Sequence, residues 1–173
     1  MAKQTLPQNL SKRQSLTVER LRDVLDYDPL TGIFRWRHLR TGVPQAGMLA
    51  GTVDDQGYLR ISVDGVRFKG HRLAWFYMTG VWPSDQIDHE NGVRNDNKFT
   101  NLREATHGQN QMNSKSWAAS GLKGTTPHKK RWHAQANWGG KHRYLGSFKT
   151  AEEAHEAYCR AAATQDPDFW RAK

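Results

Sequence analysis

The sequence predicts an α+β fold, and three observations carry the prediction. Apolar residues recur at helical spacing over 16–25, an Asp64-Gly65 pair joins two runs between Tyr58 and Lys69, and strict alternation from Arg131 to Trp138 is followed by the helix-opening Thr150-Ala151-Glu152-Glu153. The expected layout is an N-terminal α+β region (1–57), a central segment (58–114), a linker (115–120) and a C-terminal domain (121–173) made of a three-stranded antiparallel sheet packed on one helix.

Each element has a local reason. After a polar leader, Leu16, Leu21, Val24 and Leu25 line one side of a helix, and Asp28-Pro29-Leu30-Thr31-Gly32 stops it. Ile33-Phe34-Arg35-Trp36 is a strand candidate. The runs 58–63 and 66–69 form a hairpin, because Asp-Gly suits a two-residue turn. His71 to Met78 is a short apolar helix closed by Gly80, with Pro83 just beyond. Thr106-His107-Gly108-Gln109 has the capping-box pattern and opens another helix. The stretch 113–120, rich in Ser and Ala and carrying Lys115, reads as the linker.

Composition narrows the function. The 173 residues hold 36% hydrophobic and 10% aromatic residues, enough for packed cores. No apolar run approaches the ~18 residues of a membrane span, and Met1-Ala2-Lys3-Gln4 leads into no apolar signal region, so a protein with no membrane partner in the cytoplasm of a bacterial or phage-infected cell is expected. Cys159 is the only cysteine, which excludes an intramolecular disulfide and every zinc site built on several cysteines. The net charge of +9 is unevenly distributed: eight basic and four acidic groups in 1–46, seven and eight in 47–114, eleven and five in 115–173. Residues 115–149 contain no acidic side chain but interleave basic residues with Trp, Tyr and His, the pattern of a nucleic-acid surface.

The chemistry concentrates between Asp88 and Asn113. Phosphodiester hydrolysis needs a base to prepare water and a cation to neutralise developing charge. Asp88-His89 supplies a carboxylate for a metal and, on the opposite side of the strand, an imidazole whose unperturbed pKa of ~6.5 suits a base. Asn110, early in the helix opened at Thr106, is a second oxygen ligand. An Asp with an Asn carbonyl and open water positions suits Mg2+ or Mn2+ better than zinc. Asp88-His89, Asn101 twelve residues later and Asn110 nine after that resemble the HNH nuclease motif, a ββα-metal unit, in its H-N-N form. Gly70-His71-Arg72-Leu73-Ala74-Trp75, Gln86-Ile87-Asp88-His89 and Asn101-Leu102-Arg103 extend the similarity to HNH endonucleases of phages and mobile introns. The resemblance implies His89 as general base, Asp88 and Asn110 as metal ligands, and Asn101 as the residue that fixes the loop and the base. Asn110 stands where many relatives have histidine. Arg72, Arg94 and Arg103 are candidate phosphate contacts, and His71 is read as a packed structural histidine.

In the tail, Trp132, Ala134, Ala136 and Trp138 take one face of a strand, with Arg131, His133, Gln135 and Asn137 on the other. Gly139-Gly140 turns the chain into Lys141 to Phe148, and Ala151, Ala154, Ala157, Tyr158, Ala161 and Ala162 give the following helix, to about residue 163, a stripe that lets it lie close to the sheet. A polar sheet face of this kind suits the major groove. Residues 121–163 resemble the Apetala-two (ethylene-response-factor) DNA-binding domain through Gly121-Leu122-Lys123-Gly124, Trp132-His133-Ala134, Gly140-Lys141, Tyr144-Leu145-Gly146-Ser147-Phe148 and Ala151-Glu152-Glu153-Ala154 with Ala157-Tyr158. That resemblance implies base contacts at Lys123, Thr126, His128, Asn137, His142 and Tyr144, to which alternation adds Arg131 and Gln135.

Together these features predict a site-specific, metal-dependent DNA endonuclease of the homing type, encoded by a phage or mobile element, acting on double-stranded DNA as a monomer or weak dimer. One site per chain favours a nick, or a double-strand break through two molecules. The alternatives are a DNA-binding regulator with a catalytically inactive HNH module, and an RNA-directed or structural nucleic-acid protein. Residues 1–57 either extend the DNA contact or complete the core.

Overall fold

The helical spacing over 16–25 produces a shorter helix than it predicts. The structure is a computed structural model that describes residues 15–37, 46–114, 116, 118–138, 140–166 and 169. The leader (1–14), Lys115 of the linker and Gly139 of the turn lie outside those residues. Helix α1 (Val18–Val24) opens on Thr17, whose hydroxyl accepts from the Arg20 N–H, and ends before Leu25. Residues Leu25–Asp28 are instead strand β1, paired antiparallel with β2 (Ile33–Trp36). The expected helix stop is therefore a hairpin turn. Asp28 accepts from the Leu30 N–H and the Thr31 hydroxyl, while the Gly32 N–H donates to the Asp28 carbonyl. Leu25 and Tyr27 are buried between exposed Asp26 and Asp28, a period-two pattern too short to outweigh the preceding helical one in sequence.

Strand β3 (Thr52–Val53), which no local pattern predicts, pairs with β4 (Leu59–Val63), and β4 pairs with β5 (Val66–Lys69) across the Asp64-Gly65 turn. Both turn residues have positive φ, 50° and 79°, as a tight hairpin with right-handed twist requires. Helix α2 (Gly70–Thr79) follows directly and ends on Gly80 at φ 73°. Strand β6 (Gln86–His89) and strand β7 (Leu102–Ala105) form a two-stranded sheet, joined by a loop that ends in a 3-10 turn (Phe99–Asn101).

Contacts divide the chain into two compact units, Met1–Arg103 and Glu104–Lys173. The motif-based division at 57/58, 114/115 and 120/121 stays a proposal beside it. The core of the first unit draws Leu21, Leu25 and Phe34 from the N-terminal region, Ile61 and Val63 from the β3–β5 sheet, Leu73 and Phe76 from α2, and Ile87 and Leu102 from the motif strands. Full burial of a side chain of this size contributes roughly 1.5–3 kcal/mol, so the N-terminal residues are a large part of what holds the motif strands.

The second unit contains α3 (His107–Asn113), β8 (Thr125–His128), β9 (Arg131–Trp138), β10 (Lys141–Phe148) and α4 (Ala151–Gln165). Both expected capping boxes are present, Thr106 with Gln109 and Thr150 with Glu153. The sheet order is β10-β9-β8, antiparallel throughout, with a register shift between Tyr144 and Gly146. Ala134, Ala136 and Trp138 of β9 are buried, as are Ala151, Ala154, Tyr158 and Ala162 of α4. The alanines let α4 approach the sheet, and Gly124, at φ 74°, sits where a Cβ would lie 2.1 Å from the Tyr158 ring.

Gly32 has the same constraint in the first unit. At φ 73°, its added Cβ would fall 2.4 Å from the Lys98 nitrogen and 2.5 Å from the Asn97 carbonyl carbon. Both obstacles are backbone. Gly32→Ala is expected to destabilise the first unit by about 2–4 kcal/mol, through the left-handed conformation and the clash together; urea unfolding followed by circular dichroism checks this, and an unchanged midpoint refutes the close packing.

Candidate active site

Strand β6 places two ionisable residues side by side in the interior. Asp88 is 3% exposed and His89 4%. A buried charge or imidazole is tolerated only with partners, and each residue has its own. Arg103, on β7, donates to Asp88 Oδ2 from Nε (3.0 Å) and Nη2 (2.8 Å). His89 Nε2 lies 3.4 Å from Asn97 Oδ1. Asn97 is 1% exposed, and its amide is oriented because Nδ2 donates to the Asn95 carbonyl at 3.2 Å. A carbonyl oxygen only accepts, so Nε2 of His89 faces an acceptor at this long distance.

The loop between β6 and β7 is organised by Asn101. Its Oδ1 accepts from the Asn91 N–H (3.0 Å), and its Nδ2 donates to Asn91 Oδ1 (3.1 Å) and to the Asp96 carbonyl (2.7 Å). The Glu90 N–H donates to the Asn101 carbonyl at 2.9 Å. Asn101 thus closes the loop that carries Asn97. The N-terminal hairpin braces the same loop from outside. The Tyr27 hydroxyl donates to the Asn97 carbonyl (2.7 Å), and the Phe99 N–H donates to the Pro29 carbonyl (3.0 Å). Burial raises the Tyr27 pKa, with Asp28 and Asp96 adding to it, so the phenol remains a donor.

Aromatic rings wall the histidine. His71 on α2 stands edge-on to His89 with centroids 5.0 Å apart, and Tyr58 lies 5.4 Å from His71 and 6.2 Å from His89. Burial lowers the pKa of His89, only partly offset by the Asn97 contact and by Asp88 and Asp96. The imidazole is therefore neutral at neutral pH. His71 is pushed down to about 2, by burial first and then by the charges of His89, Lys69, Arg72 and Arg60.

The sequence-derived residues separate by place. Asp88, His89, Asn101 and Arg103 come together in the first unit. Asn110 lies on α3 of the second. Arg72 donates to the Asp85 carbonyl (2.8 Å) and the Pro83 carbonyl (3.3 Å), which ties α2 to the chain before β6. Arg103 is likewise engaged inside the protein, and Arg94 is the exposed cation of the three. Asn97 was not singled out by sequence; it is one of several polar residues in a loop, and only the fold shows it facing the histidine. As for a metal, Asp88 offers a buried hard oxygen donor beside Arg103. Among the described residues no group of three His, Cys, Asp or Glu side chains is placed to hold an ion. A carboxylate oxygen of this kind suits a hard divalent ion that completes its shell with water.

On the second unit, the face of β9 away from α4 joins its neighbours in a polar network. Gln135 Nε2 donates to the Thr126 hydroxyl, and Gln135 Oε1 faces His142 Nε2 at 3.1 Å. His128 stacks on His133 at 4.4 Å, and His133 meets Tyr144 edge-on at 5.2 Å. Arg131 donates to the Ser147 hydroxyl (2.9 Å) and carbonyl (2.7 Å). Asn137 and Tyr144 are exposed. Lys123 departs from the expected face: its Nζ donates to the Met112 carbonyl (2.7 Å) at the C-terminal end of α3, where a cation meets unpaired carbonyls.

Residues 68–112 match the family described as HNH endonuclease. An HNH endonuclease domain occupies this stretch, and it suggests DNA endonuclease activity, for which the family generally uses a divalent metal. The stretch contains Asp88, His89, Asn97, Asn101, Arg103 and Asn110. Neither a curated protein nor a solved structure matches the chain. Among the described residues no helix is long and apolar enough to cross a membrane.

The two buried histidines give the HNH domain a signed pH dependence. Their folded pKa values lie below the unfolded ~6.5, so the unfolded chain binds more protons as pH falls below that value, and stability is lost progressively on acidification. His71→Leu is expected to remove roughly one proton's share of the slope, about 1.4 kcal/mol per pH unit. Urea midpoints at pH 7, 6 and 5 measure it, and equal slopes in the two proteins contradict the assignment.

Proposed function

We propose that the chain is a site-specific, metal-dependent DNA endonuclease of the homing type, in which the first unit cuts and the sheet of the second reads. The observation that carries the reading is His89 itself: buried, neutral, with Nε2 turned to an amide carbonyl, beside a buried carboxylate, inside the stretch that matches HNH endonucleases.

His89 Nδ1 takes the proton from the attacking water, whose oxygen forms a bond to phosphorus as the bond to the 3′-oxygen breaks. Asn97 holds the imidazole in its base-competent tautomer and favours the charged ring that results, since Nε2–H then donates to a fixed oxygen. Asn101 keeps Asn97 in place by closing the loop. Asp88 is the metal ligand, oriented by Arg103. Asn110 is the second ligand on the strength of the motif spacing. A bound Mg2+ or Mn2+ supplies stabilisation of the pentavalent charge and of the leaving 3′-oxygen.

The sheet of the second unit is proposed to lie in the major groove through His128, Gln135, Asn137, His142 and Tyr144, with Thr126 and Arg131 bracing that face. Amide and imidazole groups there meet base edges, and Asn or Gln pairs with adenine through two bonds. A-form RNA buries the groove such a sheet would enter, so duplex DNA is the substrate proposed.

Supercoiled plasmid DNA incubated with magnesium, manganese or EDTA provides the test of cutting. Metal-dependent nicking or linearisation is expected, lost in EDTA and reduced about 10²–10⁴-fold in His89→Ala. Specific binding with no cutting under any metal overturns the nuclease reading. For the reading face, Asn137→Ala and His142→Ala should each weaken binding to a cognate duplex by about 1–3 kcal/mol, yet leave affinity for random-sequence DNA almost unchanged. Equal losses on both DNAs, seen by fluorescence anisotropy, overturn the role in base readout.

A further inference from the structure

The Tyr58 ring beside His71 and His89 carries two cations. The Lys69 ammonium lies 4.0 Å from its centroid and the Arg94 guanidinium 5.1 Å. They come from different elements: Lys69 ends β5 where α2 begins, and Arg94 sits on the loop closed by Asn101. The other cations nearby have partners inside the protein. Arg60 pairs with Asp54 at 2.6 Å, Arg103 with Asp88, and Arg72 with backbone carbonyls. Among the described residues neither Lys69 nor Arg94 forms an ion pair; Arg94 donates one hydrogen bond, to the Gln56 carbonyl at 2.9 Å.

Two positive groups on one ring repel each other, and one of them is half-buried. Burial, and after it the charge of Arg60, lowers the pKa of Lys69; Arg94 and Arg72 act in the same direction, and Asp54 offsets only part. Among the described residues no carboxylate pairs with either cation, and Asp54, already paired with Arg60, relieves only part of this crowding. The aromatic face attracts both cations and fixes two long side chains, so less conformational freedom is lost when an anion arrives. A planar guanidinium next to an ammonium matches the oxygens of a phosphodiester.

We propose that Lys69 and Arg94, held on Tyr58, form a clamp for a DNA backbone phosphate beside His89. The proposal rests on the nuclease reading for its choice of DNA and adds Lys69, which no motif indicates. Because Arg94 and Asn97 share one loop, a phosphate held by Arg94 also steadies the residue that orients the base.

The test uses the full chain with Lys69→Gln, Arg94→Gln and both, beside the charge-keeping Lys69→Arg and Arg94→Lys. Binding of a random-sequence DNA duplex is titrated in EDTA over a range of salt, and nicking of supercoiled plasmid is followed with magnesium. Each Gln substitution is expected to reduce the slope of log affinity against log salt by about one, to weaken binding about 3–10-fold and to raise KM more than it lowers kcat, whereas the charge-keeping variants retain the slope. Arg94 is exposed, so Arg94→Gln reports on binding even if the Lys69 change disturbs folding. An unaltered slope and KM in Arg94→Gln and in a folded double variant, with the parent still cutting, overturn the clamp and leave the nuclease reading standing. A parent that never cuts, yet binds with a slope that falls on these substitutions, overturns the nuclease reading and supports the clamp. A parent that does not bind duplex DNA overturns both.

Discussion

Strand β6 buries a carboxylate and an imidazole at adjacent positions, and most of the first unit is arranged around that constraint. Left unpaired, either group would cost several kcal/mol in an interior of low polarity. Arg103 answers the carboxylate from β7, and Asn97 answers the imidazole from the intervening loop. The loop in turn needs Asn101, with bonds to Asn91 and Asp96, and needs Tyr27 and Pro29 of the N-terminal hairpin on its outer side. A network of this kind is stiff because the Asn97 and Asn101 amides are each oriented by more than one bond.

The second unit is governed by a simpler rule. Period-two alternation along β9 sorts small and aromatic residues toward α4 and polar ones away from it, and the small-residue stripe of α4 permits close contact with that sheet. The polar face is already internally bonded, through Thr126, Gln135 and His142 in one chain and through three aromatic or imidazole rings in another. The side chains of such a face are held in place before anything approaches it.

Local rules made much of this legible in sequence. The Asp64-Gly65 turn, the Gly80 helix end, the boxes at Thr106 and Thr150 and the alternation of β9 each depend on residues within a few positions of one another, and each is found in the structure. The helical pattern that ends at Leu25 overlaps strand β1 by that one residue, because Leu25 satisfies both periods and only its pairing with Trp36 decides. The proximity of Asp88, His89 and Asn101 could be inferred from a motif spacing. The destinations of Arg72, Arg103 and Lys123 could not, since a long cation finds its partner across the fold: carbonyls at Asp85 and Pro83, the Asp88 carboxylate, and the end of α3. Asn97 was hidden for the same reason. Nothing distinguishes it from Asn95 until the loop closes.

The bracing by Tyr27, Pro29 and Gly32 has a consequence for how this protein is divided. Residues 68–112 are the stretch that matches HNH endonucleases, yet the apolar interior behind them includes Leu21, Leu25 and Phe34, and the loop that faces His89 leans on a hairpin some seventy residues upstream in sequence, with the Tyr27–Asn97 bond closing that distance. The matched segment is thus smaller than the piece that packs together. A catalytic motif can be recognisable in isolation and still borrow its rigidity from sequence outside it, which leaves that outer sequence free to vary in identity only so long as it continues to fill the same space.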